Sequence, residues 1–184
     1  MQEIKATSVV PTMEYVMYDL GKDTYANILK RLEAEQYQLF KKRMLPGNWI
    51  GLKDFAVFNE AVVDEVWDGN MSKGHKLGYE TADRSFGNFY KIFMRLGNPN
   101  KVAQKASSLF ETVHRPGQQK VLINEKGHIR FEVTGLEEPY EIIFHRMAGY
   151  YCRASELTGA KNVNCNMDNL EGDWSRVRFD ITFD

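Results

Sequence analysis

Metal or nucleophilic chemistry in this chain would be sought first at four histidines, His75, His114, His128 and His145, and two cysteines, Cys152 and Cys165. None of them forms a His-x-x-x-His or Cys-x-x-Cys pair. A metal site would therefore have to be assembled by the fold from distant parts of the chain. His145 lies beside a helical stripe and reads as a solvated or hydrogen-bonded residue. Cys152 sits on an aromatic helix, where a buried thiol usually just packs. No Gly-x-Gly-x-x-Gly follows a strand, and neither a phosphate-binding Gly-x-x-x-x-Gly-Lys-Ser/Thr loop nor a Gly-x-Ser-x-Gly elbow occurs. The adjacent carboxylates Asp64 and Glu65 read as a solvated helix face. The stretch KGHKLGYETADRSFGNFYK interleaves basic and aromatic residues, as nucleic-acid surfaces do. A formal net charge of −1 favours an ordinary amphipathic helix instead. With no catalytic constellation in view, any chemistry would have to be borne by a cofactor. The residues themselves imply a non-enzyme without metal or cofactor.

The totals set the frame for those residues. A chain of 184 residues is of ordinary size for one domain with a true core, and we expect a single domain over residues 1–184. Hydrophobic content of 43% and aromatic content of 12% support a packed interior. Lysine and arginine (24) nearly balance aspartate and glutamate (25), so no uniform field gathers nucleic acid or an anionic membrane. Two cysteines are too few for a disulfide scaffold and fit reduced thiols in the cytoplasm. The start, MQEIKATSVV, has no apolar signal core, and no run approaches the roughly 20 apolar residues of a membrane helix.

Two periodicities organise the chain. Residues 3–10 are compatible with a short strand, and PTMEYVMYDLG and KDTYANILKRLEAEQYQLFKKRM with helices. Leu45-Pro46-Gly47-Asn48-Trp49 is a break. LKDFAVFNEAVVDEVW is amphipathic through Leu52, Phe55, Phe58, Val62 and Val66. Helices are expected at about 75–95 and 99–113, the second opened by Pro99. The period then changes to two. Val121 and Ile123, then Ile129, Phe131 and Val133, alternate around the turn Glu125-Lys126-Gly127. In the next segment Tyr140, Phe144, Met147, Tyr151 and Ala154 form one helical stripe, ended by Gly159. Val163, Cys165 and Met167 alternate again, as do Val177, Phe179, Ile181 and Phe183, around Glu171-Gly172-Asp173. The expected class is α+β: a helical N-terminal half packed on a four-stranded antiparallel sheet built as hairpin, long helix, hairpin. Residues 118–134 and 161–183 should share that sheet, with the helix at about 139–157 crossing it.

Three stretches, MLPGNWIGLKDF, LGYETADRSFGNFYKIFMRLGNPNKV and AGYYCRASELTGAKNVNCNMDNLEGDWSRVRFDITF, carry a resemblance. They resemble the superfamily of heme–nitric oxide sensor domains, four-vinyl-reductase-like ligand-binding domains and TRAPP tethering subunits. Within it the chain is most similar to a myxobacterial-type bacterial family. The resemblance implies a last helix lying on a sheet that the terminal hairpin completes, with any pocket between sheet and helices. It would place His114, in LFETVHRPG, near the proximal heme histidine of the sensors. Their Tyr-x-Ser-x-Arg heme-carboxylate motif has no counterpart between Val133 and Tyr140, and the cysteines that flank the turn in the vinyl-reductase-like domains are replaced here by Asp168, Arg176 and Val177.

From these observations the expected function is a non-catalytic sensory or scaffolding module that binds a small apolar ligand or a protein partner. The candidate wall is Tyr140, Phe144, Met147 and Tyr151. Two alternatives stand beside it: a heme-binding gas or redox sensor using His114, and a protein-interaction subunit with no pocket. A homodimer is expected from the resemblance and from the aromatic surplus of Tyr15, Tyr18, Tyr25, Tyr37 and Phe40.

Overall fold

The alternation in the C-terminal half builds the larger of two sheets. In the computed structural model, which describes residues 2–184, with only the backbone for 86–96, strands β4 (Gln118–Glu125), β5 (His128–Thr134), β6 (Asn164–Asn169) and β7 (Arg176–Thr182) form one antiparallel sheet in the order β4-β5-β7-β6. The central pair is in full register, with Ile129 opposite Ile181, Phe131 opposite Phe179 and Val133 opposite Val177. All six side chains are buried, which is the core face that a period of two predicts. The opposite face is charged. Asp180 accepts from Arg130 Nε at 2.8 Å and lies 2.8 Å from His128 Nε2, while Glu132 meets Arg176 at 3.0 Å and Arg178 at 3.4 Å. Helix α7 (Glu141–Leu157) joins the two hairpins and crosses the core face, as the stripe requires.

The N-terminal half supplies the covering layer: α1 (Ala6–Tyr15), α2 (Lys22–Ala34), α3 (Leu52–Trp67) and α4 (Gly74–Leu96). Helix α1 begins five residues before Pro11 and carries it in its interior, then continues as a π-helical turn over Val16–Leu20. The expected strand at 3–10 is thus only β1 (Glu3–Lys5), because Ala6 already enters the helix. The expected helix at 99–113 is two pieces, α5 (Pro99–Ala103) and α6 (Ala106–Val113). A second sheet, of order β2-β1-β3, uses β2 (Trp49–Gly51) and β3 (His114–Arg115) on either side of β1.

Backbone contact locks the two layers together. A Cβ on Gly78 of α4 would lie 1.8 Å from the Arg146 carbonyl oxygen of α7, and one on Gly149 would lie 1.8 Å from that of His75. Only glycine at both positions lets the helices cross this closely. No described helix is long and apolar enough to cross a membrane.

Candidate functional site

Helix α6 ends on His114, whose extended backbone enters β3 and pairs with Ile4 of β1. The side chain is thereby fixed from both directions. The Phe110 ring, one turn back on α6, stacks on the imidazole at 4.3 Å and 15°. Although part of the residue is accessible, both ring nitrogens are shut off from solvent and neither completes a hydrogen bond. Burial, with the Arg146 cation adding to it and the Phe110 carbonyl opposing, pushes the His114 pKa down to about 4. His114 is therefore a neutral imidazole at pH 7 with a free lone pair, the form that binds a metal. An unsatisfied buried polar group of this kind calls for a partner.

His114 faces a cavity of about 540 Å³, within the range of cofactor sites. Its walls come from every layer of the fold: Thr7 and Ser8 of α1, Phe55 of α3, Leu109 and Phe110 of α6, Ile129 and Phe131 of the sheet, and Met147 and Tyr151 of α7. The lining is mostly apolar. Among the described residues its lysine and arginine side chains are Lys5, whose Nζ lies 5.2 Å from the Trp49 ring centroid, and the buried Arg146. Tyr151 donates to Gln119 Oε1 at 2.5 Å, and burial pushes its phenol pKa well above the ordinary range.

The four residues of the expected wall divide. Met147 and Tyr151 line the cavity. Phe144 is fully buried and stacks on Trp174 of the terminal hairpin at 5.7 Å, away from the cavity lining. Tyr140 lies outside the lining too; it caps α7 and donates to Glu138 at 2.7 Å. The remaining histidines do not join His114: His128 pairs with Asp180 on the outer sheet face and His145 with Glu141 at 3.3 Å. Of the five aromatics that motivated a dimer, Tyr15, Tyr25 and Phe40 are buried within the chain, Tyr37 packs against the core and Tyr18 is exposed. The residue the sequence reading passed over is Arg146. Its signal was available, as a lone cation in the apolar helix segment IIFHRMAGYY.

Among the described residues no three metal-ligating side chains gather in one place. A single histidine in an apolar cavity suits a metal that brings its own remaining ligands, which is what a porphyrin iron does. The lining fits such a group at its iron ligand and its apolar walls. Among the described residues the cations on the lining that could face a carboxylate are Lys5 and Arg146.

No protein-family model matches the chain, and no curated protein matches it in sequence. Solved structures match it in fold over nearly the whole length. An H-NOX protein from K. algicida, in the Fe(II) unliganded state, superposes with a TM-score of 0.74 at 8% identity, covering 98% of this chain and 97% of that one. An H-NOX protein from S. oneidensis in the Fe(II)NO ligation state gives 0.75 at 8% identity, covering 98% and 99%. A third, solved to probe heme distortion in the H-NOX family, gives 0.70 at 12% identity, covering 98% and 95%. The neighbours thus agree with the heme–nitric oxide sensor part of the resemblance and with the α+β fold. They overturn the expectation of no cofactor, since these neighbours are described as Fe(II), Fe(II)NO and heme proteins.

Proposed function

We propose that this chain is a heme-binding sensor domain for a small gaseous ligand, in which His114 would hold the iron. The observation that carries this reading is His114 itself: a neutral imidazole whose ring nitrogens are shut off from solvent and complete no well-formed hydrogen bond, facing a largely apolar cavity of about 540 Å³. The heme would supply an iron that can bind a diatomic gas. The chain's own residues do the rest. Phe110 holds the imidazole plane, the α6–β3 junction holds its backbone, and Ile129, Phe131 and Met147 would keep the cavity wall apolar around the bound group. The domain would act by binding and not by turnover; we propose no catalytic residue. The resemblance also supports a homodimer, with the exposed Tyr18 on the surface available to it.

The test is the absorption spectrum of protein mixed with hemin. A Soret band that titrates to one heme per chain, and is lost or shifted in His114→Ala, is expected. A wild-type protein that leaves the free-hemin spectrum unchanged refutes the proposal.

A further inference from the structure

Arg146 is a buried cation that forms no salt bridge with any described carboxylate. Its Nη2 donates to neutral oxygens: the Ser8 carbonyl at 3.0 Å, Thr12 Oγ1 at 3.1 Å and Thr81 Oγ1 at 3.3 Å. Its Nε–H is closed off from solvent and meets no acceptor. The Phe55 ring, 5.0 Å from Cζ, offers a quadrupole but no negative charge. Among the described residues no carboxylate pairs with it; the half-buried Tyr150 phenol and the neutral His114 ring are neighbours that it acts on electrostatically. A buried unpaired charge is expensive. The fold nevertheless keeps it in place, because the Arg146 carbonyl sits in the Gly78 notch and three acceptors on α1 and α4 hold Nη2. The same side chain lines the cavity that His114 faces.

We propose that Arg146 is the anion receptor of this cavity and docks a monoanionic group through its free Nε–H and its uncompensated charge. Two sources share that chemistry: a carboxylate of the heme, or a small inorganic anion admitted beside it. The inference rests on the heme reading for the choice between these sources, and not for the receptor itself. Either source converts the unpaired cation into a charge-assisted pair inside a low-dielectric site, where such pairs are strongest. A neutral gas could not do this, so the site should separate anions from neutral ligands.

Azide is titrated by absorption against the ferric heme-loaded wild type, Arg146→Met and Arg146→Lys. Hemin retention is measured for the same proteins in competition with apomyoglobin, and carbon monoxide serves as the neutral control on the ferrous forms. Methionine should fold, since replacing a buried charge by an apolar side chain of similar length is commonly tolerated. In Arg146→Met either azide affinity or hemin retention should fall about tenfold or more, with Arg146→Lys recovering much of the loss and carbon monoxide affinity changing less than about twofold. A loss confined to azide assigns an inorganic anion; a loss in hemin retention assigns the heme carboxylate. Unchanged values in both overturn the proposal while leaving the heme reading intact. If the wild type takes up no hemin, the heme reading fails by itself. Azide-dependent melting of the heme-free protein then decides: a saturable rise lost in Arg146→Met supports the receptor, and a flat response, or an equal rise in both proteins, overturns it.

Discussion

Lowering the pH on the heme-free protein should expose the cost of keeping His114 neutral. In the folded chain its pKa is near 4, against an ordinary 6.5, chiefly because burial disfavours the charged imidazolium. As pH falls below 6.5 the unfolded chain takes up a proton that the folded chain refuses, so the unfolded state binds more protons and stability drops. Above 6.5 both states are neutral and this group contributes no slope; below about 4 both are protonated and the loss is complete. At about 1.4 kcal/mol per decade, the gap amounts to about 3 kcal/mol between neutral pH and pH 4. Carboxylates such as Asp180, held low by His128 and Arg130 against the opposing effect of burial, add their own acid loss, so the quantity to compare is the difference between wild type and His114→Leu. Urea midpoints measured from pH 7.5 to 4.5 should show the wild type losing about 2–3 kcal/mol more than His114→Leu, with the divergence confined to pH below 6.5. Parallel profiles would mean that His114 is solvated in solution, and the site geometry would be wrong.

Gly149→Ala places a Cβ 1.8 Å from the His75 carbonyl and should lower stability by about 3 kcal/mol or more in denaturant unfolding, whereas Gly47→Ala, with open space around it, should be near neutral. Phe144→Ala, in a closed stack with Trp174, should cost about 3–5 kcal/mol and leave hemin uptake unchanged. Met147→Ala, on the cavity wall, should cost clearly less in the heme-free protein, because one side already lacks packing partners, yet weaken hemin binding in the same titration. Light scattering of the heme-loaded protein should give about twice the 21.3 kDa chain mass; the mass of one chain, unchanged with concentration, refutes the dimer.

The large sheet was legible because alternation is a local signal. Phe131 and Phe179 announce their face without knowledge of each other, and the fold then pairs them. The long stripe of α7 was equally legible as a helix, but the sequence could not say that one face of it meets two environments. Phe144 packs on Trp174 and Met147 opens on a void only because the terminal hairpin folds back over one end of α7. The small sheet escaped because strands of two or three residues have no period to detect. The interior Pro11 hid the start of α1, since proline more often opens a helix than sits inside one. The glycine crossing of α4 and α7 depends on two residues 71 positions apart in the chain, Gly78 and Gly149, and nothing local marks them as partners. At the site, His114 was marked by resemblance alone. Arg146 was legible in principle, because a single arginine flanked by apolar residues at helical spacing must either reach solvent or be buried with a purpose.

The claim that His114 holds a heme iron is tested most directly by removing the imidazole and giving it back. His114→Gly, titrated with hemin alone and with hemin plus free imidazole, should fail to develop the wild-type Soret band in the first case and recover it in the second, since the glycine leaves a ring-sized vacancy on the Phe110 face of the cavity. A wild-type-like spectrum in His114→Gly without imidazole would contradict the account.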